Sequence, residues 1–201
     1  DDELLILQPT RVVKRKGIEH AIELINRLGL RAKLIISHAS GDEGYDYEQR
    51  VRDYSKLMGV NTLFVSDIIN DRRAMTTDGR KIYTLSDIYP FADLVTYPST
   101  YEGFGNAFIE AVYYRKPIVV NNYSIYSADI KPKGFEVIEI DGYVTNFAVQ
   151  LTEKVLNDSQ LKDKMVENNY KIAQHHFSYK ALRWRLKALI TECLECRYSI
   201  S

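Results

Sequence analysis

Along the chain, short apolar runs alternate with stretches whose apolar residues recur every three or four positions. Six runs read as strands: 4–8 (LLILQ), 33–37 (KLIIS), 62–66 (TLFVS), 94–98 (LVTYP), 117–121 (PIVVN) and 136–140 (EVIEI). The early ones are nearly continuous in Leu, Ile and Val, as in strands covered on both faces. Between the first two, Ile18, Ala21, Ile22, Ile25 and Leu28 fall at helical spacing, and Gly29 ends that helix. The pattern predicts further helices over 47–58, after Thr84, and over 106–114. Beyond Asp141 it is helical throughout, over 146–156, 159–175 and 179–196, with Ser159 and Ser178 placed as N-caps. This alternation predicts an α/β fold: a doubly wound, mostly parallel sheet of about six strands with right-handed crossovers, followed by C-terminal helices. Two long loops, 39–46 and 67–81, interrupt it.

Composition narrows the class. The 201 residues are 45% hydrophobic, which excludes general disorder and suits one domain with an appended helix. Lys and Arg number 27, as do Asp and Glu, so a generally basic nucleic-acid binder is excluded. No apolar run reaches the roughly 18–20 residues of a membrane span, and no signal-peptide pattern opens the chain. Two cysteines, Cys193 and Cys196, make no disulfide framework and, without a second pair, no zinc site. A reducing, cytoplasmic setting is expected, with peripheral contact to the inner membrane surface left open. The immediate start on an apolar strand reads as a piece cut from something longer.

Two clusters carry candidate chemistry. In TRVVKRKG, directly after the first strand, Arg11 and Lys16 lie where a doubly wound sheet binds ligands, at the carboxyl ends of its strands. A planar guanidinium and a mobile ammonium suit a diphosphate; Lys14 and Arg15 read as surface residues. In YPSTYEGFGNAFIEAV, Gly103 and Gly105 allow close backbone approach, and the helix opening at Asn106 favours an anion. Glu102 and Glu110 flank this segment with seven residues between them. On one helix they would stand roughly 12 Å apart, too far to share a proton or a metal. They suit the two ends of an extended ligand, such as a diphosphate joining two sugars. The plainer alternatives are a solvated basic loop, a helix cap at Glu102 and a surface residue at Glu110. His38 ends the second strand on the ligand side; His175 and His176 precede a cap and read as surface or capping residues.

The combination of R-x4-KG after the first strand with PS-x-x-EGFGNAFIEAV-x4-PIVV resembles the retaining glycosyltransferases of the two-domain GT-B fold. More narrowly it resembles the group-1 family that includes sucrose-phosphate, glycogen and mannosyl transferases. The resemblance covers residues from about Leu4 to His176. It implies that residues 1–177 form a Rossmann-like domain binding a nucleotide sugar, and that 178–201 form a helix crossing to a missing N-terminal domain. It also implies roles: Arg11 and Lys16 on the donor diphosphate, with Glu102 on the transferred hexose, as the catalytic set. Amides of Gly103, Phe104 and Gly105, with Asn106, would contact sugar and phosphate. Glu110 would hold the ribose, and the nucleobase would lie near Ser66. The donor would be of the UDP-glucose or GDP-mannose type, bound without a metal or other cofactor, and the acceptor a sugar or small molecule. This chain alone would not complete transfer. Two departures stand out: Thr10 replaces a glycine before Arg11, and SHASGDEG replaces a glycine-rich turn after the second strand. A non-catalytic nucleotide-binding module and a GT-B nucleotide-sugar epimerase are the alternatives.

Overall fold

Alternate residues along each strand enter different cores. In the computed structural model, which describes residues 3–41 and 45–198, with side chains through residue 194, Ile6 and Leu94 face one layer while their neighbours Leu7 and Val95 face the other. Six strands form one parallel sheet: β1 (Leu4–Gln8), β2 (Ala32–Ile36), β3 (Asn61–Phe64), β6 (Leu94–Tyr97), β7 (Ile118–Asn121) and β8 (Ile138–Ile140). Their spatial order is β3-β2-β1-β6-β7-β8. This is the doubly wound α/β arrangement that the alternation predicts. The order reverses between β1 and β6, which pair Ile6 with Leu94 and Leu7 with Val95. That reversal opens a crevice at the carboxyl ends of these two strands.

One face is covered by α1 (Ile18–Leu28), α2 (Tyr45–Leu57) and α5 (Asn146–Asn157), which bury Ile22, Val51 and Ala148 against Ile6, Leu34 and Ile138. The other carries α4 (Asn106–Tyr113), a π-helical turn at Tyr126–Ile130 and α6 (Ser159–Phe177). There Phe108, Tyr126 and Phe135 meet Val95 and Val120, with Phe177 packed at the margin. A short α3 (Leu85–Ile88) begins with a capping box in which Thr84 and Asp87 satisfy each other's backbone amides.

Several boundaries differ from expectation for local reasons. The N-cap of α6 is Asp158, not Ser159: its carboxylate accepts from the Leu161 amide at 2.9 Å. Ser178 does cap α7 (Tyr179–Tyr198), accepting from the Ala181 amide at 3.1 Å. The last strand begins at Ile138 rather than at Glu136, because buried Asn169 of α6 takes the Glu136 backbone for itself. Its Oδ1 accepts from the Glu136 amide at 2.7 Å and its Nδ2 donates to the Glu136 carbonyl at 2.6 Å. β3 lies at the sheet edge and is not covered on both faces. The expected loop at 67–81 instead forms, with Ile82, a two-stranded hairpin, β4 (Ala74–Met75) with β5 (Lys81–Ile82), tethered to α3 by an ion pair between Arg73 and Asp87. Of the other expected loop, 42–44 lie outside the described residues.

The last helix does not lay its apolar stripe on this domain. Leu182, Leu186, Leu189, Ile190 and Leu194 are each about half exposed, and Trp184 is 73% exposed. No helix among the described residues is long and apolar enough to cross a membrane.

The Asn169 clamp yields a stability test. Asn169→Ala leaves a backbone donor and a backbone acceptor unpaired, at about 1–1.5 kcal/mol each. The expected loss is about 2–3 kcal/mol, read as a melting temperature lower by roughly 5–10 °C.

Candidate functional site

The loop leaving β1 is held from both sides. Val12 and Val13 are buried, and the Val12 amide donates to the Ala39 carbonyl at 3.1 Å. A single 3-10 turn, Lys14–Lys16, follows and ends at Gly17, whose φ of 59° is left-handed. A Cβ at Gly17 would stand 2.5 Å from the Pro98 carbonyl oxygen. Glycine therefore lets this loop touch the one leaving β6. The Thr100 amide donates to the Arg15 carbonyl at 2.8 Å and completes the junction. Beneath it, Gln8 bridges the two strand ends: Thr96 donates to its Oε1 at 2.6 Å, and its Nε2 donates to Thr10 Oγ1 at 2.8 Å. Thr10, where the family pattern has glycine, thus completes a buried polar bridge.

Above this junction the charged groups converge. Lys16, only 8% exposed, donates from Nζ to Glu102 Oε1. Arg15 Nη1 stands 3.3 Å from the same oxygen and donates to the Tyr101 carbonyl at 3.2 Å. Lys16 Nζ also lies 5.5 Å from the centroid of the Tyr97 ring. Burial alone would raise the Glu102 carboxyl, but the Lys16 and Arg15 cations outweigh it and hold it below its ordinary value. The Lys16 ammonium is lowered: burial, with smaller contributions from Arg15 and Arg11, prevails over its attraction to Glu102.

On the far side stands the start of α4. Gly105 has φ of 102°, and a Cβ there would meet Tyr123 Oη at 2.6 Å and Tyr97 Cε1 at 3.2 Å. Tyr123 donates to the Phe104 carbonyl at 3.0 Å, and Phe104 packs edge-on against Phe177 with ring centroids 5.1 Å apart. Gly103 differs: its φ is not left-handed, and a Cβ there would meet nothing within 4 Å. One turn into α4, Glu110 Oε2 accepts from Tyr89 Oη at 3.1 Å. The Tyr89 phenol is held firmly protonated, first by burial and then by the Glu110 charge. Its ring stacks on Tyr114 at 4.7 Å.

A cavity of about 460 Å³ opens among these groups. Arg11, Lys16, Glu102, Phe104, Gly105, Asn106 and Glu110 all line it. Ser66, exposed in the turn after β3, and Gly103 do not. Arg15, read from the sequence as a surface residue, does line it; three consecutive basic residues give no phase to tell which way each points. His38 lines it as well. Tyr97 and Tyr89, which support the two glutamates, carry no distinguishing signal among the 15 tyrosines of the sequence. Among the described residues, no three His, Cys, Asp or Glu side chains gather as a metal site. Cys193 is exposed, and the side chain of Cys196 lies outside the described residues.

Comparison with known proteins finds relatives in sequence and in fold. The mannosylglucosylglycerate synthase of Petrotoga mobilis is 32% identical over 156 residues, covering 69% of this chain and 36% of that protein. Its namesake in Thermotoga maritima is 27% identical over 208 residues, covering 89% of this chain and 47% of that one. The chain therefore spans less than half the length of these relatives. Among solved structures, Anabaena HepE in complex with UDP shares the fold, with a TM-score of 0.75 at 15% identity, over 95% of this chain and 49% of its own. Residues 1–172 match the family model of the glycosyl transferases group 1, and with so much of its length covered the chain belongs to that family.

Proposed function

We propose that this chain is the donor-binding part of a retaining hexosyltransferase that uses a nucleoside-diphosphate sugar of the UDP-glucose or GDP-mannose type. The observation that carries the reading is the charge layout of the cavity. Three cations, Arg11, Arg15 and Lys16, line it together with Gly105 and Asn106 at the amino end of α4 and with two carboxylates, Glu102 and Glu110. A diphosphate fits the cations and the helix end, and a sugar hydroxyl pair fits each carboxylate. HepE is described in complex with UDP, and two relatives are named for a mannosylglucosyl product. Both donor types therefore belong in the test.

The chemistry follows from where charge develops. As the glycosidic bond to phosphate breaks, negative charge grows on the leaving diphosphate. The guanidinium groups of Arg11 and Arg15, the Lys16 ammonium and the first amides of α4 are aimed at that charge before it appears. In this reading those groups do the work without a bound metal. Glu102 orients the hexose, and a further domain supplies the acceptor wall and excludes water.

The Lys16–Glu102 pair gives the sharpest forecast. In this structure Glu102 holds the cation that the diphosphate needs. Glu102→Gln releases Lys16 and Arg15 while leaving a polar group of the same shape. Free UDP or GDP is then expected to bind about 3- to 10-fold more tightly, by removal of a competing charge. The nucleotide sugar gains less, because the hexose loses its carboxylate. Without ligand the variant melts lower, since a mostly buried ammonium is left unpaired, at about 1–3 kcal/mol. Calorimetric titration of each ligand, with melts alongside, decides it; equal changes for both ligands would refute the hexose role.

Glu110→Ala is expected to behave differently. It weakens free diphosphate and nucleotide sugar alike by about tenfold, the loss of a hydrogen bond to a charged group. Tyr89→Phe reproduces a smaller part of that loss, because Tyr89 only steadies the carboxylate. An effect of Glu110→Ala on melting temperature alone would assign it a structural role.

Transfer itself is the third test. With a nucleotide sugar and candidate acceptors, the chain by itself is expected to fall far short of the roughly 1 s⁻¹ of a working enzyme. Product formation at that rate by the purified chain would show that no further domain is required.

A further inference from the structure

One cavity-lining group has no part in the scheme above. His38 sits in the segment after β2, at a position where the family pattern has a glycine-rich turn. Its ring is half-buried, and its Nδ1 is engaged by the Ser37 hydroxyl at 2.6 Å. With Nδ1 so engaged, Nε2 is the ring nitrogen left to meet a ligand in the cavity that His38 lines. A hydroxyl can donate to Nδ1 or accept from it, so this bond survives either protonation state of the ring.

The surroundings set what the ring does. Glu110 of α4 and Asp71 of the loop after β3 favour a positive imidazole; Arg11 and Lys16 of the loop after β1 oppose it. Burial is the largest influence, and the imidazole is held below its ordinary range, hence neutral near pH 7. A diphosphate entering beside Arg11 and Lys16 cancels their repulsion and adds two negative charges in the same low-dielectric space. Both changes act in one direction.

Resting on the donor-site reading, we propose that His38 binds the ribose–phosphate end of the donor through Nε2 and takes up a proton from solvent as the donor enters. Sharing the cavity wall with Glu110 and Arg11, it is assigned the segment those two groups bracket in the donor: the junction of the sugar that Glu110 holds with the first phosphate. The site is thereby a proton-coupled one. Donor affinity rises as pH falls, and the coupling resides in this side chain, not in the glutamates.

The test is calorimetry of UDP-glucose and of GDP-mannose with the 201-residue chain at pH 5.5, 6.5 and 8, in two buffers of different ionisation heat. Nucleotide sugars are the probes because both their phosphates are esterified, whereas the terminal phosphate of a free diphosphate takes up its own proton at about pH 6. Expected for the wild type is affinity about tenfold higher at pH 5.5 than at pH 8, one charge-assisted hydrogen bond's worth. A buffer-dependent heat at pH 6.5 should report fractional proton uptake. In His38→Gln and His38→Asn the pH slope and the buffer dependence disappear, and at pH 5.5 each variant binds about tenfold more weakly than wild type. A wild-type chain that binds with no pH slope, or a slope retained in both variants, overturns the proposal and leaves the donor site standing. Variants that melt lower and bind more weakly by the same factor at every pH assign His38 a structural role and also overturn it. A wild-type chain that binds neither nucleotide sugar at millimolar concentration overturns the donor-site reading, and this inference with it.

Discussion

Everything at the site depends on two loops being held against each other at the point where strand order reverses. The loop after β1 brings cations and the loop after β6 brings a carboxylate, and the ion pair of Lys16 with Glu102 locks them together. A buried pair of this kind adds little net stability, because both charges lose water. What it supplies is position. The pair works only because the backbones beneath it are already in contact, through Gly17 against Pro98 and through Thr100 on Arg15. Breaking the contact would separate the cations from the amino end of α4, and the cavity would lose the alignment of its charges.

A second layer of polar residues makes that contact repeatable. Gln8, Thr96 and Asn121 lie at strand ends where a hydrophobic side chain would pack well, yet each is buried and polar. Gln8 links β1 to β6. Asn121 donates to the Ser99 carbonyl at 3.1 Å and accepts from the Gly142 amide at 2.8 Å. Hydrogen bonds have direction where apolar contacts do not, so these residues fix where each loop leaves its strand. Aromatic rings complete the support: Tyr97 and Tyr123 close around Gly105, and Tyr89 steadies Glu110. The acidic and basic groups that face the cavity thus rest on neutral groups that do not titrate near neutral pH.

How much of this could be read in advance follows the physics. The strands and helices were legible because a buried strand and an amphipathic helix impose periods of 2 and 3.6 on the residues themselves. Gly29 marks a helix end by its left-handed backbone, which the sequence announces as glycine. The strand expected over 136–140 starts later because its start is decided by Asn169, 33 residues away from Glu136, and no local pattern records that. The hairpin over 74–82 escaped because two residues per strand carry no period, and the Arg73–Asp87 pair that anchors it joins residues 14 apart. At the site, Glu102, Gly105 and Glu110 were legible from spacing against a helix start. Arg15 was not, because its direction comes from the Tyr101 carbonyl across the junction. Gly103 went the other way: the chain itself does not require a glycine there.

The crowding at Gly105 has a consequence for anyone who would alter this loop. The volume a side chain would need is already filled by two phenol rings, one of which is also bound to the neighbouring carbonyl of Phe104. Positions 97, 105 and 123 therefore behave as one joint choice distributed over three places in the chain. A library that randomises the loop while keeping both tyrosines samples almost nothing but glycine at its centre. New shapes become reachable only when all three codons vary together.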